Sequence, residues 1–285
     1  MTMTWNTVGF EPQKRYFRQL IEERQLAHAY LFTGLEMTGK FLFAREIAAR
    51  ANGRTEVGEF DPDLKIVTPN TAEGETKIYV EDIRDIKAFL SLRPYRGPYK
   101  FVIVDNADRL TVEAANALLK SLEEPTPNTV LILVSSQPRQ LLATVSSRCQ
   151  EVRFLPHGRE AIADYLAERK KVLAADRDLL ISMAQGRIGW LEPALARLPE
   201  IKKTVSELDA VLRSGTTERM LYAKKIYEKE TYPAVVADWL YWLYGNRQRV
   251  PRAHAVLGCL LDLNALIAQP QYNHRLALET TFVNL

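Results

Sequence analysis

The sequence predicts an α/β domain built on a parallel sheet, followed by a region that is helical throughout, and three observations predict it. Strand-like and helix-like segments alternate through residues 1–155, as parallel strands with crossover helices on both faces require. A Gly-x4-Gly-Lys turn joins the first strand-like run to an amphipathic helix. After Phe154 and Pro156 the strand signal ends and helical periodicity remains.

Taken in order, residues 15–23 read as a helix and the apolar run 28–33 as a buried strand. The helix over 40–52 places Phe41, Ala44, Ile47, Ala48 and Ala51 on one face. A strand over 64–68 and a helix over 80–92 follow, the helix stopped before Pro94. Residues 100–104 form the next strand. Thr111 is placed to cap a helix that runs to Glu124 and stops at Pro125, and 129–134 is again strand. Helices are then expected over 160–170, 177–184 and 190–198, with longer amphipathic stretches over 201–285. Domain boundaries fall near Pro156 and Pro199, where proline accompanies a change of pattern.

At 285 residues, 47% hydrophobic and 26% charged, the chain is long enough for two or three cores. The net charge of +3 describes a mixed solvated surface and does not by itself argue for nucleic-acid binding. Cys149 and Cys259 are too few for a zinc site or a disulfide framework. There is no basic-then-apolar leader and no apolar run of the roughly eighteen residues a bilayer demands, so the expectation is a cytoplasmic protein with no membrane partner.

The chemistry-bearing residues lie at two strand ends. The run 34–41, Gly-Leu-Glu-Met-Thr-Gly-Lys-Phe, fits the P-loop pattern at every position but the last. Gly34 and Gly39 let backbone N–H groups wrap a phosphate, and Lys40 would bridge terminal phosphates. Phe41 stands where a Ser or Thr hydroxyl should ligate Mg²⁺, and a phenyl ring supplies no oxygen. The second strand end carries Asp105-Asn106-Ala107-Asp108. Asp105 is the metal-side carboxylate, but Asn106 cannot accept a proton from an attacking water. Gly34, Thr38, Gly39, Lys40 and Asp105 are thus the candidate nucleotide-binding residues of a disarmed site. Residual ATP, ADP or phosphate binding there is left open.

The block from Ala114 to Pro125, with its Leu-Leu-Lys-Ser-Leu-Glu-Glu-Pro, the run Ser146-Ser147-Arg148-Cys149-Gln150, and His28 to Phe32 upstream resemble the clamp-loader branch of the AAA+ ATPases. The specific motifs cover roughly residues 5 to 155. The resemblance implies a nucleotide-binding-like AAA+ domain at 1–155, a small helical lid at 156–199 and an all-α collar at 200–285 that holds subunits in a ring. It implies as partners gamma/tau-type ATPase subunits and a delta subunit of a DNA polymerase III clamp loader, and through them the sliding clamp and primer-template DNA. It also implies that Arg148 is an arginine finger pointed into a neighbour's nucleotide site. A planar, permanently charged fork there neutralises transition-state charge, an effect worth roughly 10³ to 10⁵ in rate where measured.

Departures from that family pattern are equally informative. The zinc-binding cysteines many such subunits carry after the P-loop helix are missing between Ala51 and Leu64, so no zinc is expected. Val8-Gly9-Phe10 replaces a Val-Gly-Gln that helps seat adenine. In the lid, Gly189 occupies the place of a sensor arginine, and Arg187, two residues away on an assumed helix, points elsewhere.

Each feature also has a plainer reading. Arg148 could pair with a local carboxylate such as Glu151. Trp239, Trp242 and Leu243, with Tyr241 and Tyr244, have the spacing of a helical core face. Arg247, Arg249 and Arg252 beside Pro251 read as a solvated turn. His28 and His157 lack further metal ligands, Ser135 and Ser136 are ordinary turn residues as well as possible sensor hydroxyls, and Asp108 could simply flank the helix beginning near Thr111. Two functional classes follow: a non-hydrolysing ring subunit, or a self-sufficient ATP-hydrolysing motor subunit of the gamma type or another AAA+ ATPase. Phe10, Phe41 and Asn106 together favour the first.

Overall fold

The computed structural model describes residues 5–55, 61–72, 75–169, 172–248, 250, 252–269 and 271–285. Glu59 and its neighbours Gly58 and Phe60, together with Lys170, Arg249 and Pro251, lie outside them. The chain divides into two compact units, residues 1–157 and 158–285.

In the first unit, helix α1 (Glu11–Glu22) precedes strand β1 (Ala29–Thr33), and helix α2 (Lys40–Ala51) follows it. Next come β2 (Leu64–Val67), a hairpin of β3 (Asn70–Ala72) and β4 (Glu75–Lys77), α3 (Val80–Leu90) and β5 (Lys100–Val104). A 3₁₀ turn at Ala107–Arg109 leads to α4 (Val112–Glu123), then β6 (Thr129–Ser135), the short α5 (Ala143–Ser146) and β7 (Gln150–Arg153). The sheet order is β2-β5-β6-β1-β7, and every pairing in it is parallel.

Alternation along the buried strands sorts side chains onto two faces. Leu31, Val102, Val104, Leu131 and Leu133 meet Ile83 and Ile86 of α3 and Leu118 and Leu122 of α4. Tyr30, Phe32, Phe101, Ile103, Ile132 and Val134 meet Phe17 of α1 and Phe43, Ala44 and Ile47 of α2. Covering both faces explains why these strands read as unbroken apolar runs. It also brings the carboxyl ends of β1, β5 and β6, hence Gly34, Asp105 and Ser135, to the same edge of the sheet, where open α/β sheets place ligands.

The second unit consists, among its described residues, of helices and connecting turns. They are α6 (Arg159–Ala167), α7 (Ala174–Ala184), α8 (Leu191–Ala196), α9 (Leu198–Arg213), α10 (Thr216–Glu228), α11 (Tyr232–Asn246), α12 (Ala253–Ile267) and α13 (His274–Asn284). Trp239 is fully buried at its centre, stacked on Tyr222 with centroids 5.7 Å apart and donating from Nε1 to the Thr204 carbonyl at 2.8 Å. Of the aromatic stripe of α11, Trp239 with Leu243 is core, Tyr241 and Trp242 are partly buried, and Tyr244 is exposed. No helix among the described residues is long and apolar enough to cross a membrane.

Candidate nucleotide-binding-like site

The loop from Gly34 to Gly39 turns sharply because both glycines hold positive φ, 144° and 105°, and Met37 joins them at 56°. Gly34 has no room for a side chain: a Cβ there would sit 2.2 Å from the carbonyl oxygen of Phe154. Thr38 is buried and turned inward, its hydroxyl donating to the Leu35 carbonyl at 2.9 Å, while the Thr38 carbonyl accepts from His157 Nε2 at 2.8 Å. His157 thus anchors the loop to the end of the first unit, a contact no local sequence signal announces.

Lys40 opens α2 but directs its ammonium back at the loop, 2.8 Å from the Gly34 carbonyl and 2.5 Å from that of Leu35. Burial pulls its pKa down to about 8, against the opposing pull of Asp105, Asp108 and Glu36. Burial likewise pushes the Asp105 carboxyl up, partly offset by a hydrogen bond from the Asn106 backbone and by Lys40. Neither group is stabilised in its charged form by a partner strong enough to offset desolvation. Asn106 sits in the left-handed region (φ 50°, ψ 49°), which Asn tolerates, and its amide donates to Asp105 Oδ2 at 3.2 Å. The Asn106 side chain therefore occupies one Asp105 oxygen and itself offers no carboxylate base.

Two aromatic rings lie beside the loop. Phe41, in the first turn of α2, packs against the aromatic core and under the Arg45 guanidinium at 5.9 Å. Phe10, itself left-handed at φ 61°, is buried between Phe43, Phe154 and His157, with ring centroids 6.2, 4.8 and 4.5 Å away. A Cβ on Gly39 would lie 3.7 Å from the Phe10 ring, so an apolar plug flanks the loop on the side of the N-terminal segment. Glu46 of α2 fastens that segment, accepting from the Asn6 and Thr7 backbone N–H groups at 2.5 and 3.1 Å and from the Thr7 hydroxyl.

Several readings need correction. Asp108 lies in the turn just before α4 but does not cap it, the cap being Thr111. Asp108 accepts from the Ser135 hydroxyl at 2.6 Å and the Ser136 N–H at 3.0 Å, tying the turn after β5 to the end of β6, because a buried hydroxyl at a strand end must find an acceptor. Arg148 pairs not with Glu151 but with Glu123 at the end of α4, Nη2 to Oε1 2.8 Å, and donates from Nη1 to the Thr144 carbonyl at 2.9 Å. Glu151 is occupied by the Thr33 hydroxyl and Arg153. Arg187 is not on α7, which ends at Ala184 and is followed by Gln185 in the left-handed region. It is buried, donating to the Ala184 and Met183 carbonyls at 3.0 Å and lying 3.9 Å from the Tyr241 ring centroid, so it is committed to packing. Among the described residues no three His, Cys, Asp or Glu side chains gather as a metal site.

The sequence over residues 10–158 matches the family described as DNA polymerase III, delta subunit. The chain belongs to this family. Within it the similarity is to delta′ subunits: 35% identity over 187 residues to DNA polymerase III subunit delta′ of Bacillus subtilis, covering 59% of this chain and 55% of that one. The delta′ subunit of Pseudomonas aeruginosa is 38% identical over 171 residues, 54% of this chain and 51% of that one. The chain thus spans about half the length of these two relatives. The crystal structure of a DNA polymerase III gamma subunit-related protein from Thermotoga maritima has the same fold, with a TM-score of 0.57 at 20% identity over 94% of this chain and 97% of that one.

Proposed function

We propose that this chain is a delta′-type subunit of a bacterial clamp loader, a ring member that does not hydrolyse ATP. It helps gamma/tau-type ATPase subunits and a delta subunit to place a sliding clamp on primer-template DNA in the cytoplasm, and it directs Arg148 at a neighbour's nucleotide. In this reading residues 156–199 act as the lid and 200–285 as the collar. One observation carries the proposal: the positions that would supply the Mg²⁺ hydroxyl and the catalytic base are Phe41 and Asn106, and Lys40 is bonded to its own loop. Arg148, by contrast, keeps its head partly in solvent, 38% exposed, where another chain's phosphate could reach it.

The test is reconstitution with the partner subunits, clamp and primed DNA. Replacing Arg148 with alanine should leave assembly intact, since exposed truncations stay within about 0.5 kcal/mol, and should lower DNA-stimulated ATP turnover at least tenfold, with nucleotide binding less affected. Wild-type turnover in the R148A assembly would leave this chain as a scaffold only.

A further inference from the structure

Glu123 and Arg148, side chains from separate motifs, meet in a pair whose placement is not explained by the stability of either element. Glu123 is the last residue of α4, where the exposed carbonyl ends of a helix disfavour a carboxylate. Lys120 supplies the favourable charge of that last turn. Glu123 nevertheless reaches Arg148 at 2.8 Å. Both backbones are fixed from below: Leu122 is buried beside Glu123, and fully buried Val145 with half-buried Cys149 pins the turn that carries Arg148. The alternative carboxylate, Glu151, is engaged by Thr33 and Arg153.

We infer that Glu123 is a positioning residue for Arg148, fixing the guanidinium so that its remaining N–H groups face outward toward a neighbour's phosphate. The inference rests on the reading of Arg148 as a finger. A guanidinium has five N–H donors in a rigid fork. The contacts to Glu123 and the Thr144 carbonyl engage one terminal nitrogen each, so both can persist while the other donors bind a second oxyanion. An unrestrained arginine side chain spreads over many rotamers, and that freedom must be lost each time it docks. The pair is half-exposed, 38% for Arg148 and 50% for Glu123, so its contribution to the stability of the chain is small and its effect is on orientation.

Steady-state ATPase of the reconstituted loader, with clamp and primed DNA, distinguishes the inference from the reading beneath it. Glu123→Ala should lower kcat roughly two- to fivefold, the range an exposed ion pair supplies, with KM for ATP unchanged because the effect is felt in the transition state. Glu123→Gln, whose amide oxygen still accepts a hydrogen bond, should retain more of the rate. The double variant E123A/R148A should be no slower than R148A alone. Thermal unfolding of the purified chain should be little changed in E123A, and E123Q serves if E123A fails to fold. Wild-type kcat in both Glu123 variants beside a slow R148A overturns the positioning role and leaves the finger. Additive losses in the double variant overturn it as well, since Glu123 would then act by another route. Wild-type kcat in R148A removes the finger reading itself, and this inference with it.

Discussion

Lys40 shows at the scale of one residue how a buried ammonium is accommodated when its partners are backbone carbonyls of its own loop. Its ammonium is buried among loop carbonyls, and desolvation brings its pKa from 10.5 to about 8. Between those two values the unfolded chain holds more protons than the folded one, so this group makes stability rise as pH climbs from about 8 toward 10.5, by an amount on the order of 3 kcal/mol. Replacing Lys40 with methionine removes the titration. The stability of the variant relative to wild type should therefore fall as pH is raised from 7 to 10, with the other titrating groups cancelling in the difference. Chemical denaturation at the two pH values measures it, and a pH-independent gap would contradict the burial argument. Asp105 is displaced in the opposite direction by the same cause, as expected of two opposite charges sharing a dry site.

At the scale of elements, the turn from β1 into α2 is held by steric exclusion as much as by hydrogen bonds. Gly34→Ala would drive a methyl into the Phe154 carbonyl at 2.2 Å in a left-handed-side conformation, and should destabilise the chain by about 2 kcal/mol or more. Gly53→Ala, at φ 72° with nothing within 4 Å, isolates the conformational part and should cost only about 1 kcal/mol. Denaturant midpoints for the two variants check the contrast, and equal losses would mean that Phe154 yields. The same distinction between local and distant causes decided what the sequence revealed. β1, β5 and β6 are buried along their whole length and announced themselves as apolar runs. β7, Gln150–Arg153, is an edge strand with mostly exposed side chains, and the β3-β4 hairpin is polar, so neither carried an apolar signal. Helix α1 begins at Glu11, four residues before the amphipathic pattern, because Pro12 in its first turn suits a helix start. Gly34, Lys40 and Asp105 were legible because a loop and a strand end are local. The Asp108–Ser135 tie and the Glu123–Arg148 pair join residues from separate elements, and only the chain's path brings them together.

The whole molecule contains one unit in which a sheet carries the 34–39 loop at its strand ends, and a second unit with its own aromatic core around Trp239. In the proposed reading, Gly34, Gly39 and Lys40 keep the turn of a phosphate loop while Phe41 and Asn106, which offer neither a metal-binding hydroxyl nor a carboxylate base, leave it without the means of turnover. The proposed role in a ring follows from that asymmetry, because a chain without its own chemistry can still contribute Arg148 to a neighbour's. The most direct test is ATP turnover by the purified chain alone, with Mg²⁺ and saturating nucleotide, beside Lys40→Ala. The account predicts no turnover above the uncatalysed background in either protein. Turnover at an ordinary enzyme rate of about 1 s⁻¹ or more, abolished by the Lys40→Ala substitution, would contradict it and make this chain a motor subunit in its own right.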